Sequence, residues 1–103
     1  MTIVGAMEVL RPKRLETHPG DAVLPWARRQ LEIASDILDN PGGGLLFATQ
    51  TIGQVRAALQ ERHAEHWAET VAILDRAEDQ AVHREFAESR RLLGQAVENL
   101  STR

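Results

Sequence analysis

All four prolines and five of the seven glycines lie before Leu45, so that Gly53 and Gly94 alone interrupt residues 45–103. Proline lacks the amide that the helical ladder needs, and glycine is a poor helix former. The second half can therefore carry long helices, while the first half is cut into short pieces. At 103 residues the chain is long enough for one core and too short for two. An apolar fraction of 43% with 26% charged residues is ordinary for a globular domain. The expectation is a single all-α domain.

A first helix is expected over 21–39. Val23, Ala27, Leu31, Ala34 and Leu38 recur at helical spacing, with Trp26, Ile33 and Ile37 widening the stripe. Asp21 is a candidate cap and Pro25 is tolerated in a first turn. Asn40-Pro41-Gly42-Gly43-Gly44 ends it, and residues 40–50 read as a glycine-rich loop, with Leu45-Leu46-Phe47 either a lead-in packed on the core or an extra turn of the next helix. Residues 1–20 form an N-terminal arm in which Thr2 to Leu10 fits a strand, a short helix or an unstructured segment.

A second helix is expected over 51–77, with Thr51 and Gln54 as a capping box. At about 100° per residue, Ile52, Leu59, His63, His66, Thr70 and Ala77 share one stripe, flanked by Val55, Ile73 and Leu74. A third helix is expected over 79–100, its stripe running through Val82, Phe86, Ser89, Leu93, Ala96, Val97 and Leu100. That stripe is rotated by about 145° from the one before it, so a straight continuous helix would bury opposite faces. A turn within Asp75 to Gln80, with Asp79 as N-cap, resolves the conflict as a long helical hairpin. The alternative is one long helix shared between subunits. Three helices are too few to cover such wide stripes, so the three-helix antiparallel arrangement is expected to be completed by homodimerisation.

Polar residues in the middle of the second stripe are the candidate site. His63 and His66, three residues apart, can face one cation, and Glu69 follows at the next helical step. This set suits a divalent metal or a small ligand; the competing reading is a buried hydrogen-bonded layer shared with Ser89. The Glu-x-x-His spacing of helical di-iron proteins and the His-Glu-x-x-His motif are both missing. Glu61, Glu65 and Glu69 repel at i,i+4 spacing. They suit either a solvated face or pairing with Arg84, Arg90 and Arg91 of a partner. Trp67, beside the stripe, suits a subunit contact or the core.

The remaining signals exclude more than they assign. Without cysteine there is no disulfide, thiolate ligand or cysteine nucleophile. Neither Ser35 nor Ser89 sits in a Gly-x-Ser-x-Gly elbow, and the triple glycine lacks the Gly-Lys-Ser/Thr of a phosphate loop. A net charge of −3 argues against nucleic acid as a partner, with Arg11, Lys13 and Arg14 the one local basic cluster. No run approaches the roughly 20 apolar residues of a membrane span. Thr2 to Leu10 carries Glu8 and has no basic segment before it, unlike a cleaved signal peptide. Eleven arginines against one lysine, with many alanines, is a bias associated with GC-rich bacterial genomes. The resulting expectation is a bacterial, cytoplasmic, non-catalytic interaction or regulatory protein without a cofactor. A helical protein binding metal or ligand through His63 and His66 is the alternative.

Overall fold

A computed structural model describes residues 22–101. They form four α-helices: α1 (Val23–Asp39), α2 (Leu45–His63), α3 (Ala68–Val82) and α4 (Phe86–Ser101). There is no strand among the described residues. Each helix packs on its neighbours in sequence, and α4 closes back on α1, giving a ring of four. The connections are short and the neighbours antiparallel. Ser89 reaches Ala77 and Asn99 reaches Thr70 across α3 and α4, while Arg90 near the start of α4 meets Ser35 and Asp39 at the end of α1. The arrangement is a four-helix bundle within one chain.

In α1 the expected stripe is the observed one: Val23, Ala27, Leu31, Ala34 and Leu38 are its buried residues. The core joins them to Ala48, Ile52, Val55 and Leu59 of α2, to Leu74, Ala77 and Ala81 of α3, and to Leu92, Leu93, Ala96 and Leu100 of α4. Large leucines alternate with alanines, which lets helices approach closely while the leucines fill the space between them. Fully burying one such leucine contributes about 1.5–3 kcal/mol, and α1 to α4 all contribute at least one.

The α1–α2 connection is made by its glycines. Gly42 adopts a positive φ of 49°. A Cβ on Gly44 would lie 2.9 Å from Ile37 Cγ2 and 3.2 Å from the Pro41 carbonyl oxygen. A side chain at Gly44 would push the start of α2 off the end of α1.

Several expectations need correction. Residues 45–50 are the first turns of α2 rather than loop, and Thr51 is an interior residue whose hydroxyl donates to the Phe47 carbonyl at 2.9 Å. The expected helix over 51–77 is two helices, broken at 64–67. The break needs neither glycine nor proline. Ala64 keeps right-handed helical angles, the Trp67 amide donates to the His63 carbonyl at 3.0 Å, and Trp67 itself enters the core at 6% exposure. The turn expected at 75–80 lies instead at 83–85, which leaves Asp79 inside α3. Two turns in place of one convert the expected three helices into four. Asp21, the candidate cap of α1, and the arm over 1–20 with Arg11, Lys13 and Arg14 lie outside the described residues.

Arg84 explains why the second turn was hard to see. The Arg84 amide donates to Ala81 at 3.0 Å and the Glu85 amide to Gln80 at 2.8 Å, the paired bonds of a Schellman ending. This ending needs a left-handed residue, usually glycine, and Arg84 supplies it at φ 62°. A left-handed non-glycine residue costs roughly 1–2 kcal/mol. Arg84→Gly is therefore expected to stabilise the fold by about 1 kcal/mol and raise Tm by roughly 4–8 °C, measured by thermal unfolding. A lowered Tm would mean that the arginine side chain holds the turn.

Candidate interaction surface

The histidines do not occupy an apolar stripe. His63 is the last residue of α2, His66 lies in the connection to α3, and both are exposed. The stripe was drawn on a wheel that runs straight through residues 64–67, and the break there turns both imidazoles outward. The rings of His66 and Trp67 meet nearly perpendicular, with centroids 4.7 Å apart. Glu69, in the first turn of α3, is exposed as well. Among the described residues no group of three or more His, Asp or Glu side chains is placed to hold a metal ion.

The other buried polar residues of the stripes are engaged within the chain. Ser89 is fully buried and donates to the Ala77 carbonyl at 2.7 Å, so its partner level is Ala77 rather than His63 and His66. Asn99 donates to Thr70 Oγ1 at 3.2 Å.

Of the residues considered for a subunit contact, Trp67 is consumed by the core. Arg90 is also engaged internally: its Nε donates to the Ser35 carbonyl at 3.0 Å and its Nη1 to Asp39 at 3.1 Å. Arg91 pairs with Glu88 one turn away, Nε to Oε1 at 2.9 Å. That hydrogen bond is the main reason the Glu88 carboxyl sits below its ordinary pKa. Glu61 and Glu65 remain exposed, but the break places them on different elements, so they form no continuous column with Glu69.

The surface that stands out is the outer side of α2. Exposed faces of α1, α3 and α4 are charged, with Arg29, Glu32 and Asp36 on α1, Glu69, Asp75 and Arg76 on α3, and Arg91 and Glu98 on α4. Between Leu45 and Gln60, α2 has a single charge, Arg56, and that guanidinium is bonded to Glu78 and lies 3.6 Å from Asp75 on α3. At about 100° per residue, the side of α2 turned away from its buried Ala48, Ile52, Val55 and Leu59 carries the exposed Leu46, Gln50, Gln54 and Ala57, with Glu61 following near its end. Leu46 is 68% exposed and Phe47 beside it 58%.

Val82, 58% exposed, ends α3 at the same end of the bundle. It lines an open groove of about 270 Å³ together with Arg56, Asp75, Glu78 and Asp79. On the other flank of α2, a smaller hollow of about 120 Å³ is lined by Val23, Trp26, Ala58, Glu61 and Arg62. Single exposed apolar residues are ordinary on a protein surface, but adjacent large ones on an otherwise uncharged helix face mark a contact surface. The signal is present in the sequence as the charge-poor run 45–60.

No helix of the described residues is long and apolar enough to cross a membrane. No family model matches the chain, and neither the curated proteins nor the solved structures contain a match to it.

Proposed function

We propose that the protein is a non-catalytic interaction module that acts through protein contacts made by the outer face of α2. The observation that carries this reading is the exposure of Leu46 and Phe47 on a helix whose outer face carries no charge before Glu61, in a bundle whose four helices already share a core. A surface helix held in water by nothing but its own fold gains from charged residues on its outer face; over its first four turns α2 has none there, which supports a contact role. A bacterial origin is part of the same reading, supported by the arginine- and alanine-rich composition.

The test places a photo-crosslinking amino acid at Phe47 or at Gln50, with Arg76 on the exposed face of α3 as the control, and irradiates cells that produce the protein. Crosslinked products are expected from positions 47 and 50, at least several-fold above those from position 76. Equal yields at all three, or none, would overturn the reading.

A further inference from the structure

We infer that the outer groove between α1 and α2 is the seat of this chain's own segment 2–10, which lies outside the described residues. The groove follows from how α1 is turned. Arg90 holds the Ser35 and Asp39 side of α1 toward α4. At about 100° per residue the opposite flank carries Trp26, Gln30, Ile33 and Ile37, none of them charged. Two observations show that this flank faces α2. Trp26 shares the small hollow with Ala58, and Ile37 Cγ2 lies 2.9 Å from where a Cβ on Gly44 would stand.

On α2 the flank nearest α1 carries Phe47 and Ala58 by the same rotation per residue. Phe47 is 58% exposed and Ile33 39%, while Trp26 and Ile37 are only partly buried against the core. Together they make an apolar strip along the α1–α2 groove, about 17 Å long from Trp26 to Ile37. Covering such a strip removes apolar surface from water, which favours any apolar segment that can reach it.

Three features of the chain select segment 2–10 as the cover. Its composition matches the strip, with Ile3, Val4, Ala6, Met7, Val9 and Leu10 against the single charge of Glu8, while Arg11, Lys13 and Arg14 fall in the connection beyond it. The connection also joins at the right place, because the chain enters α1 at Ala22 and Val23, and Val23 lines the hollow at one end of the strip. Its length suffices: residues 11–21 can span up to about 36 Å, so the segment reaches the whole strip. A segment tethered in this way acts at an effective concentration near millimolar, an advantage that a separate apolar partner lacks.

The seating stands on these observations, and its regulatory consequence rests on the interaction reading above. Phe47 belongs both to the strip and to the contact face of α2. A partner that needs Phe47 therefore binds only molecules whose segment has left the groove, and its apparent affinity falls by that fraction. The segment is an internal competitor for the contact face.

The chain has no cysteine, so Met7→Cys places one nitroxide spin label in the full chain, and broadening of backbone amide NMR signals reads proximity to it. At about 50 μM, far below the effective concentration of a tether, the amides of Ile33, Ile37 and Phe47 are expected to broaden several-fold more than those of Arg76 and Arg91 on the exposed faces of α3 and α4. Adding Ile33→Glu, checked for unchanged helical circular dichroism, is expected to remove the difference.

Equal broadening at both sets of amides, or none at either, would overturn the seating, as would a difference that survives Ile33→Glu. A mixture of isotope-labelled chains lacking the spin label with spin-labelled chains lacking the isotope separates the sources. Selective broadening in that mixture would assign the strip to the segment of a second copy and overturn the intramolecular seat. Crosslinks from Phe47 to a different protein are read independently: with the seat disproved they leave the interaction reading standing, and without them the seat loses its regulatory consequence alone.

Discussion

Replacing Trp67 with alanine is expected to lower the free energy of unfolding by about 3–5 kcal/mol, the range for removing a large buried aromatic side chain. Trp67 is 6% exposed and belongs to the core cluster, yet it sits in the connection between α2 and α3. Its backbone accepts from the Val71 amide at 2.8 Å and donates to His63, so the residue joins the end of one helix to the start of the next. Truncation opens a cavity where the chain reverses. Urea denaturation followed by circular dichroism at 222 nm reads the loss. A tryptophan acting only as a subunit anchor would behave differently: the monomer would keep its stability and self-association alone would weaken. An effect below about 1 kcal/mol would overturn the core role.

Ser89→Leu is the second substitution with a large expected effect, a loss of about 2–4 kcal/mol measured in the same way. The Ser89 side chain is fully buried between α4 and α3, and its hydroxyl donates to the Ala77 carbonyl. Leucine would remove that bond, worth about 1 kcal/mol, and force extra volume into a close helix contact, which typically costs 1–3 kcal/mol. Ser89→Ala separates the two effects. The Ala77 carbonyl retains its place in the α3 ladder, so alanine is expected to cost no more than about 1 kcal/mol. If alanine proved as harmful as leucine, the hydrogen bond rather than the fit would be what holds α3 and α4 at this level.

The sequence made α1 legible residue by residue because its stripe is regular, its outer face is charged, and proline and glycine end it. The later turns were harder because they use other chemistry. At 83–85 an arginine does the work of glycine, and at 64–67 the chain reverses through ordinary backbone angles, held by the burial of one tryptophan. Neither signal is punctuation. The polar residues His63 and His66 were read as interruptions of a buried stripe, whereas they mark where that stripe ends. Ser89 and Thr70 were correctly placed on buried faces, but their partners could not be found without the register that the turns impose. The outer seam of α2 was hidden for the opposite reason: apolar and neutral residues on two sides of a helix blur its amphipathic pattern.

The ring of helices bears on how the chain assembles. Three of its four contacts, α1 with α2, α2 with α3 and α3 with α4, join elements that follow one another, so each hairpin can form as soon as its short connection turns. Only the docking of α4 on α1 has to bring distant parts of the chain together, and by then α2 and α3 hold the intervening residues in compact form. The Arg90 bonds to Ser35 and Asp39 span that last seam. Topology alone therefore predicts that they form after the tryptophan turn between α2 and α3.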